Sequence, residues 1–379
     1  MWRPPRTLLG VTEIRQVLFV TPWGDQGLGI QAREYTQWAH GAKWGVHVWA
    51  LESRKTGFAQ VNSAEWTLPN VKIVYTQHSD PEPMSCIQYC INNGITDVFV
   101  LEPARRLVFD FARELKLRNL QVWGIPNLEM IRRSDLPEYS TAFTGILCVN
   151  EHVRDNLLYF KIPSSMLHSW PFQLHDCPKA QSTPCKSIMR FLIVGGFNAD
   201  RRKQAKKVMV AFSRAFRDRK DVQLTVLSQG GPDFQQIPPT FSNIQVRTGA
   251  MTYEQIIAEY QQHHVVIMCS RAEGLGLPFY EAMRAGCAII SLNVAMYREL
   301  VVHGSNGWLI KCATEPVALG QAAIGNNEAI VHTYTFESSA LEQLLLQLTP
   351  EAISFAQTAS RRNFESRLNS HSQIWANFS

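Results

Sequence analysis

No apolar run in this 379-residue chain approaches the roughly 20 residues that a membrane-spanning helix needs. The first six residues are polar and proline-rich, and 7–11 is too short for the apolar core of a signal peptide. Any membrane contact is therefore expected to be peripheral, and the chain is expected in the cytoplasm. Zinc-type cysteine spacing is missing too. Of eight cysteines, Cys86 and Cys90 form a C-x3-C pair, but no second pair follows. Cys148, Cys269 and Cys287 sit in apolar runs and read as reduced core residues. No basic stripe with interleaved aromatics appears, so nucleic acid is excluded as a partner. The net charge of +5 is a mild excess that suits a polyanionic small molecule or an anionic membrane surface. With 45% hydrophobic and 18% charged residues the balance is globular, and the length calls for two α/β domains rather than one core.

Strand and helix patterns alternate along the chain. Continuous apolar runs at 16–21, 46–51, 71–75, 97–101, 121–125, 145–149 and 166–170 read as buried parallel strands, with helices at about 30–40, 104–117 and 151–160. Residues 173–187 lack periodicity, carry two prolines and read as a linker. The alternation resumes with strands at 189–194, 223–227, 244–247, 265–269 and 288–291. Residues 350–378 have no strand character. The expected division is an N-terminal Rossmann-like domain (1–175), a linker (176–187), a C-terminal Rossmann-like domain (188–349) and a terminal helix (350–379). The fold class is α/β with doubly wound parallel sheets. No internal sequence repeat is present.

One stretch carries chemistry: Ser270-Arg-Ala-Glu-Gly-Leu-Gly-Leu-Pro-Phe-Tyr-Glu281-Ala-Met. A buried strand precedes it and a helix from Phe279 follows, with Pro278 expected at the first helical position. Strand, glycine-bearing loop and helix N-terminus form an anion site, because free amides and the positive dipole end point at the ligand. A diphosphate suits that place. Glu281, expected in the first turn, can accept from the vicinal hydroxyls of a ribose, and Glu273 from those of a sugar. The plainer alternative is a turn whose glutamates answer the helix dipole. Upstream, Arg201-Arg-Lys-Gln-Ala-Lys-Lys207 precedes an amphipathic stripe formed by Val208, Met209, Ala211, Phe212, Ala215 and Phe216. Five cations at a helix N-terminus oppose the dipole, and an anionic ligand relieves that conflict.

Residues 270–310 resemble the retaining glycosyltransferases of family 4, whose Glu-x7-Glu motif stands in the context E-G-F-G-L-P-x-x-E-A-M, followed by a Gly-x-Asn-Gly turn. Leu275 departs from that pattern, aliphatic where the family is aromatic. The resemblance implies a GT-B fold, two Rossmann-like domains facing a central cleft, with the terminal helix crossing back to the N-terminal domain. It implies transfer, with retention, of a sugar from a UDP-, GDP- or ADP-sugar to a glycan, lipid-linked or other hydroxyl acceptor, with no metal and no cofactor. Glu273 and Lys203 take the catalytic positions. Glu281 falls on the ribose, and the amides of Gly274, Leu275, Gly276 and Leu277 on the leaving diphosphate. The family arginine after the first glycine is replaced by Gly196, leaving Arg201 or Arg202 to supply that cation.

On the N-terminal side, the resemblance brings Gly27 and Gly29 near the diphosphate; a plain pair of loop glycines before a helix is the alternative. Asn127 and Glu129, after the strand at 121–125, are acceptor-side candidates, or caps of the next turn. Glu102 stands where the family carries a cleft histidine. Two other function classes stay open: an epimerase or phosphorylase on the same fold, and a non-catalytic sugar-nucleotide-binding or partner subunit.

Overall fold

The computed structural model describes residues 7–8, 11–12, 14–52, 68–78, 80–104, 106–177, 182–196, 199–229, 242–315 and 330–376. Residues 178–181 of the expected linker, and residues 1–6, lie outside the described residues. The chain divides into two compact units. One comprises Met1–Gln173 with Asn369–Ser379, the other Leu174–Leu368.

The first unit opens with a short antiparallel pair, β1 (Thr7–Leu8) and β2 (Val11–Thr12). It then alternates through β3 (Gln16–Pro22), α1 (Gly27–Gly41), β4 (Gly45–Leu51), β5 (Lys72–Tyr75), α2 (Pro83–Asn92), β6 (Asp97–Leu101), α3 (Arg106–Leu117) and β7 (Gln121–Ile125). It closes with α4 (Leu136–Ala142), β8 (Gly145–Cys148), α5 (Glu151–Tyr159) and β9 (Leu167–Ser169). Seven strands form one parallel sheet in the order β5-β4-β3-β6-β7-β8-β9. The order reverses between β3 and β6, which marks the topological switch point. Val17, Leu18, Phe19 and Val20 of β3 and all five residues of β6 are buried, as continuous apolar strands covered on both faces must be. Phe19 stacks on Phe99 across these two strands at 4.9 Å.

The second unit runs β10 (Met189–Val194), α6 (Ala205–Phe216), β11 (Val222–Ser228), β12 (Ile244–Thr248), α7 (Tyr253–Gln262), β13 (Val265–Met268), α8 (Leu277–Ala285), β14 (Ala288–Leu292), α9 (Ala295–Arg298) and β15 (Gly307–Ile310). A small antiparallel pair follows, β16 (Ala313–Glu315) with β17 (Thr333–Thr335), then α10 (Ser338–Gln347) and α11 (Pro350–Ala376). Six strands pair in parallel in the order β12-β11-β10-β13-β14-β15, with the switch point between β10 and β13. Phe212 and Phe216 of α6 pack on Phe191 of β10 at 5.4 and 6.1 Å, so the apolar stripe of α6 covers the sheet. From Asn369 onward α11 belongs to the first unit. There the His371 ring donates from Nε2 to the Pro171 carbonyl at 2.7 Å, and Trp375 packs against Trp44 and Trp170.

Two local expectations need correction. α1 begins at Gly27, not near Ile30, so Gly27 and Gly29 occupy its first turn rather than a loop. The reason is close packing: a Cβ on Gly29 would sit 2.2 Å from the Gly24 carbonyl oxygen. Likewise α8 begins at Leu277, so Pro278 is its second residue and Glu281 lies in the second turn. Gly276, at φ +73, makes the left-handed entry that lets the helix start this early.

Candidate functional site

The loops that leave β10 and β13 on either side of the second unit's switch point are stitched together by the backbone. The Arg271 amide donates to the Arg202 carbonyl at 2.8 Å, and the Arg271 guanidinium donates through Nε to the Arg201 carbonyl at 2.8 Å. After β10 the chain has no room for a side chain at Gly195, whose Cβ would lie 2.4 Å from that of Ala199. Gly196 then turns at φ +59 and offers its carbonyl to Gln229 at 2.9 Å.

The turn Ala199–Lys203 ends at Gln204, which precedes α6 in a left-handed conformation, φ 55. Its side chain makes three hydrogen bonds. The amide nitrogen donates to the carbonyls of Cys269 at 2.8 Å and Tyr334 at 3.1 Å, and the amide oxygen accepts from Thr335 at 2.9 Å. Lys207, in the first turn of α6, donates to the same Thr335 hydroxyl at 2.8 Å and lies over the Phe336 ring. Gln204 thereby fixes the start of α6 to the ends of β13 and β17, and this places its neighbour Lys203 at Glu273.

Lys203 and Glu273 form a buried ion pair, with Arg202 adding a second bond to the other carboxylate oxygen at 3.1 Å. Burial alone would raise the Glu273 pKa. The charges of Arg202 and Lys203, with the Lys203 hydrogen bond, outweigh it and hold the carboxyl at about 2. Of the two expected arginines, Arg202 reaches Glu273, whereas Arg201 contributes its carbonyl to Arg271.

Behind Glu273 the segment Gly274, Leu275, Gly276 enters α8, whose first turn presents backbone N–H groups and the positive dipole end. Phe279 stacks on Tyr297 at 4.9 Å, and the Tyr297 hydroxyl donates to the Ser270 carbonyl at 3.1 Å, which braces the loop. Glu281 is buried, and its Oε2 accepts from the Tyr260 phenol of α7 at 2.8 Å.

The first unit holds three further candidates. Glu102 follows β6 at φ +49, and its amide donates to the Ile125 carbonyl at 2.9 Å. Asn127 is buried after β7 and donates from Nδ2 to Oε1 of Gln31 in α1 at 3.2 Å. Glu129 lies in the single turn of 3-10 helix at Leu128–Met130. Among the described residues, no group of three His, Cys, Asp or Glu side chains stands close enough to hold a metal ion.

Residues 189–325, within the second unit, match the family model of glycosyl transferases group 1. Solved structures match nearly the whole chain. Sucrose-phosphate synthase from Thermosynechococcus elongatus is 13% identical, with a TM-score of 0.67 over 96% of this chain and 98% of its own. HepE from Anabaena, in complex with UDP-glucose, is 12% identical, with a TM-score of 0.68 over the same shares. A glycosyltransferase from Rickettsia africae is 13% identical, with a TM-score of 0.66 over 96% and 98%. The fold is GT-B. No curated protein matches the chain. Among the described residues no helix is long and apolar enough to cross a membrane.

Sequence reasoning missed three residues that shape these sites: Gln204, Tyr260 and Gln31. None carries a local signal. Each acts on a residue 65, 21 or 96 positions away.

Proposed function

We propose that this chain is a retaining glycosyltransferase of family 4 that moves a sugar from a nucleoside-diphosphate sugar to a hydroxyl acceptor without a metal. The observation that carries this reading is the convergence of Lys203 and Arg202 on Glu273 at the switch point, beside the N-terminus of α8. As the sugar–phosphate bond breaks, negative charge grows on the leaving diphosphate. Two preorganised cations and a helix N-terminus stabilise that charge most where it develops, which lowers the barrier. Glu273, kept ionised by its cationic partners, holds sugar hydroxyls, and Glu281 holds the ribose. The amides from Gly274 to Leu277 close around the phosphates. The departing phosphate oxygen takes the proton of the acceptor hydroxyl, so no enzyme nucleophile is needed.

Because the HepE structure holds UDP-glucose, a UDP-sugar is the first donor to try. Thermal-shift titration with UDP-, GDP- and ADP-glucose in chelator tests the site. A ligand that binds only the folded state raises the melting temperature with concentration. One nucleotide should do so, and Glu281→Ala should weaken the shift. Absence of a shift with all three would overturn the donor assignment. Proton NMR of the transferred anomeric centre checks retention.

A second reading is a nucleotide-sugar-binding subunit without turnover. It is favoured by Gly196, which replaces the family arginine in a left-handed turn. Binding of the donor with neither transfer nor slow hydrolysis would select it.

A further inference from the structure

Both carboxylate oxygens of Glu273 are taken by cations. Oε1 accepts from the Lys203 ammonium, and Oε2 accepts from Nη1 of Arg202 at 3.1 Å. The side chains of Lys203 and Glu273 are each 5% exposed, and that of Arg202 is 30% exposed. Water therefore screens little of the attraction between Lys203 and Glu273. The backbone keeps the three groups in register. The Arg271 amide donates to the Arg202 carbonyl at 2.8 Å, and Arg271 stands two residues before Glu273.

On the donor reading, on which this inference rests, the same two cations serve the leaving diphosphate. Carboxylate and diphosphate are both anions, so they compete for Lys203 and Arg202 and repel one another at short range. A diphosphate that draws the cations away leaves Glu273 charged, buried and short of partners, which is costly. Hydroxyl groups make up that loss, because each can donate to a carboxylate. An intact nucleotide sugar brings such hydroxyls on its own sugar. The nucleoside diphosphate left after transfer keeps the phosphates and lacks the sugar.

We infer that Glu273 is a specificity-determining residue that discriminates the intact donor from the spent nucleoside diphosphate, by competing with the diphosphate for Lys203 and Arg202. With the sugar present, its hydroxyls compensate the carboxylate and the cations turn to the diphosphate. Once the sugar has moved to the acceptor, the carboxylate reclaims both cations and the diphosphate loses its hold. Product release is thereby built into the residue that reads the sugar. Held at a pKa of about 2, the carboxylate stays ionised, and so remains a competitor, throughout the neutral range.

The test is isothermal titration calorimetry of the full chain with UDP and UDP-glucose, GDP and GDP-glucose, and ADP and ADP-glucose, compared between the parent and Glu273→Gln. Glutamine keeps the shape and still bonds hydroxyls, but carries no charge. For the base that binds, the parent should hold the nucleotide sugar at least threefold more tightly than the nucleoside diphosphate. Glu273→Gln should bind the nucleoside diphosphate at least threefold more tightly than the parent does, and its preference for the nucleotide sugar should shrink or reverse. This variant leaves Lys203 buried beside Arg202. If circular dichroism shows that it does not fold, the same comparison is made between Lys203→Met and Lys203→Met/Glu273→Gln, in which Arg202 is the cation set free. A nucleoside diphosphate that binds the variant no more tightly than the parent overturns the proposal and leaves the donor reading standing. Equal tightening of nucleoside diphosphate and nucleotide sugar also overturns it, since Glu273 then repels phosphate without reading the sugar. Binding of no nucleotide to either chain removes the donor reading and this proposal with it.

Discussion

The phenol of Tyr260 donates a 2.8 Å hydrogen bond to Oε2 of Glu281, with both side chains buried between α7 and α8. Burial, then the adjacent carboxylate, pushes the Tyr260 pKa well up, so the phenol remains a donor across the working pH range. The carboxylate is thus aimed by a partner that never competes for its charge.

Tyr260→Phe removes only that donor. A buried hydrogen bond to a charged group is worth about 1.5–3 kcal/mol, and the variant should lose stability of that order in denaturant titration. If Glu281 holds the ribose, KM for the donor should rise about tenfold, or 1.4 kcal/mol, with kcat within a factor of two. A fall in kcat at unchanged KM would place Glu281 in the chemical step instead.

The ion pair of Lys203 with Glu273 should behave as a unit. Lys203→Met leaves a buried carboxylate with Arg202 alone and should cost about 3 kcal/mol. Adding Glu273→Gln removes the stranded charge, so the double variant should be more stable than Lys203→Met by denaturant midpoint. A double variant no more stable than the single one would show that the pair is not coupled.

Acid should act through the same carboxylate. Glu273 titrates near 2 in the folded chain and at an ordinary value of 4.5 when exposed. A depressed folded pKa contributes stability that is present above the unfolded value and is lost as pH falls toward the folded one. Between about pH 4.5 and 2 the parent chain should therefore lose stability more steeply than Glu273→Gln. Parallel melting curves across that window would refute the depressed pKa.

Gly29→Ala places a methyl group 2.2 Å from the Gly24 carbonyl. Backbone cannot yield as a flexible side chain does, so the substitution should cost several kcal/mol, at or above the usual 1–3 kcal/mol of overpacking. Circular dichroism melting checks this. An unchanged melting temperature, with donor binding lost, would give Gly29 a ligand role instead of a packing one.

Much of this fold was legible. β3, β6, β10 and β13 are continuous apolar runs because parallel strands at the sheet centre have no wet face. The family pattern marked Lys203 for a diphosphate and Glu273 for a sugar, but their direct ion pair was not legible, since 70 residues separate them. Element boundaries at glycines were misplaced for a shared reason. Gly29 permits α1 to begin against the Gly24 carbonyl, and Gly276 permits α8 to begin at Leu277, but a bare sequence reads both as loop. Gln204, Tyr260 and Gln31 stayed invisible because their partners are neighbours in space and not in sequence.

Gln204 binds Cys269, Tyr334 and Thr335, all later in the chain than itself. During synthesis, Lys203 and Arg202 therefore leave the ribosome long before anything can hold them at Glu273. A nascent chain that has completed β10 through β15 owns every strand of its second sheet and the Cys269 bond of Gln204, and still lacks the Tyr334 and Thr335 half of that clasp. Competence of this site arrives with the residues around 335, so a truncation before them should yield a sheet without a working anion pocket.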